Sequence, residues 1–252
     1  MSRYWGQRIV IDGTWYKTPG AIGALKPAPI PAPGVANSVV ASYEYQTQEV
    51  LRKIENGSLV GRLVIKLINH SSRGLKIIPL AVDDFARTQA VPFKCVPVRC
   101  EHVHTDSIIW FEPSAWGSAR TRAIDPRGNM QPDDVLLHEM VHSLRQIRGL
   151  FKPTPLGDGF QFVEELYAVL LTNMYVTEMG RPQSRRYGHS LPFVPLAAKG
   201  QLADIANEFY LSYQDEIDAF VREMPDLCAP LGSTSCYIDW NPIFCAVQRR
   251  YS

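Results

Sequence analysis

The sequence predicts an α+β protein. Three observations carry that expectation. Two helical stripes followed by a strand occupy the first third of the chain, strand-like segments lie near its middle, and long helical runs fill the part after residue 132. The chain has 252 residues, of which 46% are hydrophobic and 20% charged, enough to bury a core. That balance excludes wholesale disorder and fibrous repeats. Lys plus Arg is 26 and Asp plus Glu is 25, giving a net charge of +1. Nucleic-acid-binding domains usually carry a clear basic excess, so no nucleic-acid partner is expected. No apolar run reaches the ~18 residues that a spanning helix needs, so no membrane span is expected.

The elements follow in chain order. Arg8-Ile9-Val10-Ile11 reads as a strand. The first residues, MSRYWGQRIVIDGTWY, lack a continuous apolar core followed by small residues, so no secretory signal peptide is read there. Thr18 to Val35 carries Pro27, Pro29, Pro31 and Pro33, which favours extended or polyproline chain. Residues 1–40 are therefore expected to be a Pro-rich N-terminal segment and 41–252 the main domain. From Ser42 to Asn69 two stripes follow each other: Val50, Leu51 and Ile54, then Val60, Leu63, Val64, Leu67 and Ile68. Asn56-Gly57-Ser58 separates them. The second stripe is also β-branched enough to suit a strand.

Lys76 to Leu80, Val91 to Val98 and Ser107 to Glu112 have strand composition, and Gly117 to Met130 reads as a loop. Asp133 to Arg148 is a strong helix. Asp133 and Asp134 suit its positive N-terminus, and Gly149 suits its C-cap. A second helix is expected over Phe160–Met179, stopped by Gly180, and a third over Leu202–Met224. Trp240 to Tyr251 forms a last short one. The cysteines are Cys95, Cys100, Cys228, Cys236 and Cys245. An odd count without a signal peptide favours reduced, buried thiols, although the spacing of the last three admits a disulfide in an oxidising compartment. No CxxC pair marks a structural zinc ribbon.

The chemistry is concentrated in His138-Glu139-Met140-Val141-His142, an HExxH sequence inside the Asp133–Arg148 helix. Residues four apart lie one turn above each other on one helix face. Two imidazoles so placed can converge on one metal ion. Glu139, one step around the helix, reaches a water on that ion and takes its proton. Val135, Leu136, Leu137, Met140, Val141 and Leu144 supply an apolar back for burial.

This stretch resembles the zincin metallopeptidases, whose mark is HExxH with uncharged neighbours. Metzincins continue with Gly three positions past the second His and then a further His. Here Arg145 holds that place and no His follows until His189. Gluzincins instead take a third ligand from a glutamate on the next helix, and that helix reads Phe162-Val163-Glu164-Glu165-Leu166-Tyr167-Ala168. The resemblance implies Glu164 or Glu165 as that ligand. Glu165 is preferred, because Ala168 three positions on is the small residue often found there in gluzincins, where Glu164 has Tyr167.

The resemblance further implies zinc as cofactor and peptide-bond hydrolysis with Glu139 as base. It implies a zincin-like α+β fold, with a small mixed sheet packed on the HExxH helix and a second ligand-bearing helix. Zincins often add a Tyr or His beyond the third ligand to stabilise the oxyanion; Tyr187, His189 and Tyr175 stand in that part of the chain. The strand Ile108–Phe111 is the expected edge along which a peptide would lie. Residues 45–180 are also similar in layout to bacterial effector and toxin metallopeptidases, through the helix, Ser/Gly break and helix of Val50–Gly61. This similarity implies a protein or peptide substrate, a cognate inhibitor or immunity protein as partner, and secretion or dedicated delivery.

Three other readings remain open from sequence. Cys100, His102 and His104 would share one face of a strand and form a zinc or copper site. A zincin-fold toxin would act on a cell-wall amide. A non-catalytic zinc-binding protein would keep a vestigial site.

Overall fold

The computed structural model describes residues 3–17, 25–27, 33–80, 88–92, 104–116, 130–157, 159–181, 183–184, 194–195, 201–233 and 238–251. They form a mixed α+β architecture with a small mixed sheet. Contacts divide the chain into two units, Met1–Ile54 with Ile65–Phe151, and Glu55–Val64 with Lys152–Ser252.

The first unit runs β1 (Arg3–Trp5), β2 (Ile9–Ile11), β3 (Trp15–Lys17), β4 (Leu25–Pro27), α1 (Pro33–Gly57), α2 (Leu59–Asn69), β5 (Leu75–Pro79), β6 (Gln89–Pro92), β7 (Ser107–Phe111) and α3 (Pro132–Ile147). The junction of α1 and α2 belongs to the second unit. A five-stranded sheet has the order β1-β2-β5-β7-β6, and β3 pairs with β4 apart from it. Strands β2, β5 and β7 are parallel, with Ile9 beside Leu75 and Leu75 beside Ser107. Strands β1 and β6 run antiparallel to their neighbours at the two edges that the described residues form.

Every residue of β7 is buried, as expected of a strand covered on both faces, and Ser-Ile-Ile-Trp-Phe has the unbroken apolar run such strands need. The expectation that Ile108–Phe111 is an edge is therefore corrected. It lies between β5 and β6, and β6 is the edge among the described residues. Pro92, which has no N–H to give a ladder, sits on that edge.

One helix boundary differs from the sequence reading for a local reason, and one open choice is decided. The run expected to be extended as far as Val35 turns helical at Pro33, because proline's fixed φ suits a first helical turn. The β-branched second stripe is a helix, since Val60, Val64 and Ile68 recur every four residues and are all fully buried. Asn69, at the end of α2, accepts hydrogen bonds from the amides of Gln7 and Arg8 at 3.0 Å each. These bonds tie down the β1–β2 turn, where Gly6 takes a φ of 76°.

The second unit contains β8 (Pro155–Gly157), β9 (Phe160–Phe162), α4 (Val163–Glu178), β10 (Gln183–Ser184), β11 (Val194–Pro195), α5 (Leu202–Ser212), α6 (Gln214–Glu223), α7 (Pro225–Leu231) and α8 (Pro242–Tyr251). The helix expected from Phe160 begins only at Val163. Residues Phe160–Phe162 form a hairpin with β8, made possible by positive φ at Gly157 (82°) and Gly159 (89°). The single helix expected over Leu202–Met224 is two. Tyr213, at φ −132° and ψ 37°, leaves the helical region, and its ring packs on Phe160 and Phe209. Asp215 and Glu216 then occupy the favourable first turn of α6. The Glu178 carboxylate accepts from the first amides of α2, Leu59 (2.5 Å) and Val60 (3.3 Å). Cys228 is buried and Cys245 half-buried. Among the described residues no helix is long and apolar enough to cross a membrane.

One consequence can be measured. Burial of the Tyr43 phenol raises its pKa well above the usual value, and the carboxylates of Glu112, Glu44 and Asp12 raise it further. The folded state therefore holds the proton more tightly than the unfolded chain, whose phenol titrates near pH ~10. This stabilisation is complete below that pH and declines as pH rises above it. Tyr43→Phe should flatten the alkaline loss of stability in denaturant melts taken from pH 9 upward.

Candidate metal centre

Helix α3 is fixed at both ends. Pro132 stands in its first turn, and the Gln131 amide donates to the Asp134 carboxylate at 3.1 Å. Lys53 Nζ lies 2.8 Å from the buried Asp133 carboxylate. At the other end Gly149 takes a φ of 65°, and its amide returns to the Gln146 carbonyl. The Arg145 guanidinium donates to the Leu150 carbonyl at 2.7 Å. Between these ends every residue from Asp133 to Ile147 is buried. The helix packs on β6 and β7. There Ser107 Oγ meets Ser143 Oγ at 2.9 Å and Gln146 Oε1 at 2.7 Å. This buried polar contact fixes the helix along its axis against β7, because sliding would leave hydroxyl and amide groups unpaired.

On this helix His138 is fully buried and His142 nearly so. Their Nε2 atoms are 3.3 Å apart, and the rings meet edge to face. Two nitrogens bound to one tetrahedral zinc ion at about 2.0–2.1 Å would stand about 3.4 Å apart. The imidazoles are thus already at the spacing of a shared ion. Glu165 completes a group whose ligand atoms all lie within 4.8 Å of one another, so His138, His142 and Glu165 can hold a metal ion. Two imidazoles and a carboxylate are a donor set that zinc accepts.

The two adjacent glutamates of α4 have different surroundings. The Glu164 carboxylate is buried and accepts from the Lys152 amide at 2.8 Å, closing the loop that leads into the β8–β9 hairpin. Glu165 is the one grouped with the histidines. Glu139 is also buried, and its Oε2 accepts from the Ala90 amide of β6 at 2.7 Å.

The remaining candidates divide. Tyr187 and His189 lie outside the described residues, as do Cys100 and His102 of the alternative metal site. His104 is described and exposed. Tyr175 is fully buried on α4, with the Arg181 guanidinium 5.7 Å from its ring centre. Two contacts at α3 had no sequence signal. The Ser107–Ser143–Gln146 group joins residues far apart in the chain, and the Ala90 partner of Glu139 is a main-chain group.

Comparison of the chain with known protein families, with curated proteins and with solved structures finds no match.

The geometry separates the two glutamates experimentally. Glu165→Gln should weaken metal retention by at least about tenfold, measured by chelator competition, because it replaces an anionic ligand with a neutral one. Glu164→Gln should keep the metal and lower unfolding stability by about 1–2 kcal/mol, since the Lys152 amide would then bond to a neutral acceptor.

Proposed function

We propose that this chain is a zinc-dependent metallopeptidase in which His138, His142 and Glu165 hold the ion and Glu139 is the general base. The observation that carries the reading is the convergence of those three ligand groups, with Glu139 one residue from a ligand on the same buried helix. Zinc in that place supplies a Lewis acid that acidifies water and polarises a carbonyl. The chain's own residues do the rest. The imidazoles and the Glu165 carboxylate bind and orient the ion. Glu139 takes the proton of the attacking water and returns it to the leaving amine. Burial of His138 and Glu139 keeps bulk water from competing for these groups.

Among the described residues strand β6 is the edge of the sheet and lies beside Glu139, so a substrate reaching that edge meets the general base. The succession of α1, the break after Gly57, α2 and β5 supports the similarity in layout to bacterial effector and toxin metallopeptidases. On that basis the substrate is a protein or peptide met after secretion or delivery, and a cognate inhibitor or immunity protein is the matching partner.

Purified protein should contain one zinc per chain by elemental analysis and cleave members of a peptide library. Glu139→Gln should retain the zinc and lose at least about 10²-fold in kcat. A variant that still cleaves refutes the base assignment. Cleavage of cell-wall fragments alone would replace the peptidase by an amidase, and absence of bound zinc would leave a binding protein.

A further inference from the structure

We infer that the main-chain N–H of Ala90 is a positioning group for Glu139, holding one carboxylate oxygen so that the other faces the reacting water. The inference rests on the peptidase reading for the role of Glu139, but the contact itself belongs to the fold. Strand β6 is antiparallel to β7, with Ala90 opposite Ile109. In such a pair the N–H and C=O of one residue point to the same side, and the side alternates along the strand. The Ala90 amide goes to Glu139 Oε2 at 2.7 Å, so both main-chain groups of Ala90 face away from β7.

Pro92, two residues on, shares that side and has no N–H. Of these two positions on the outer side of β6, one amide is committed to Glu139 and the other does not exist. An edge designed only to extend a ladder with a peptide would leave its donors available. Here the Ala90 donor is directed inward, at a buried carboxylate. A bond of this length to a charged acceptor is among the stronger kinds, and it restricts a side chain that otherwise has three rotatable bonds. Oε2 is thereby assigned to orientation and Oε1 to the proton.

The test replaces the amide and leaves the side chain unchanged. Ribosomal incorporation of lactic acid at position 90 exchanges the N–H for an ester oxygen. That N–H is not a rung to β7, so the exchange removes no donor from the strand pairing and only weakens the Gln89 carbonyl as an acceptor. The expected result is a fall in kcat of about tenfold, with KM within about twofold of the wild type and unchanged zinc content. An unchanged kcat overturns the positioning role. A fall in kcat that is accompanied by loss of zinc overturns it too.

A second measurement needs no substrate. In the ¹⁵N-labelled protein the Ala90 amide should exchange with solvent at least about tenfold faster in Glu139→Ala than in the wild type, while the Val91 amide, which faces β7, reports on the sheet as a whole. Equal Ala90 exchange in the two proteins overturns the contact even if the wild type cleaves peptides. Faster exchange with no cleavage of any peptide sustains the contact and removes only the peptidase reading.

Discussion

Everything at the candidate site depends on the burial of helix α3 along its whole length. That burial is unusual for its composition. Apart from its apolar residues, the stretch Asp133–Ile147 carries two aspartates, two histidines, a glutamate, a serine, an arginine and a glutamine. A polar group taken out of water must be paired or it costs several kcal/mol. The structure provides partners from outside the histidine pair for six of these eight side chains. Lys53 reaches Asp133, the Gln131 amide meets Asp134, Ala90 holds Glu139, Ser107 binds Ser143 and Gln146, and Arg145 closes on the Leu150 carbonyl. The contacts with Lys53, Ala90 and Ser107 also fix the helix against rotation or sliding, since they reach other elements. The helix that presents the histidines is therefore held by the partners of its other polar residues, and not by apolar packing alone.

The same burial explains how much could be read from the sequence. The HExxH face needs only the geometry of one helix, so His138, Glu139 and His142 were legible from spacing. The α+β class was legible as well, because stripes such as Val60, Val64 and Ile68 have one clear period. What could not be read depends on long-range pairing. Ser107–Phe111 has the composition of any strand, and only its neighbours β5 and β6 make it internal. Tyr213 interrupts a periodic run because its ring finds Phe160, some fifty residues earlier. Pro33 stands in a Pro-rich tract, yet its φ equally fits a helix start. The Ala90 amide is a main-chain group and leaves no mark on the sequence.

Adjacent residues on a helix diverge by about 100°, and the site uses that step twice. On α3 the step separates His138, directed at His142, from Glu139, directed at the amide of Ala90. On α4 it separates Glu165, grouped with the histidines, from Glu164, which receives the Lys152 amide. In both pairs one member contributes a ligand group to the cluster, and its neighbour is anchored by a main-chain N–H. Two adjacent helical side chains do not both ligate one ion, so a carboxylate beside a ligand takes a partner of its own. A backbone amide is well suited to that, because only substitution by proline removes it and it cannot itself compete for a cation. A doublet such as Glu164-Glu165 is thus better understood as one ligand and one anchor than as two interchangeable ligands. The register of α4 follows from the same argument: a one-residue slip would take Glu165 out of the cluster and leave the Lys152 amide without Glu164.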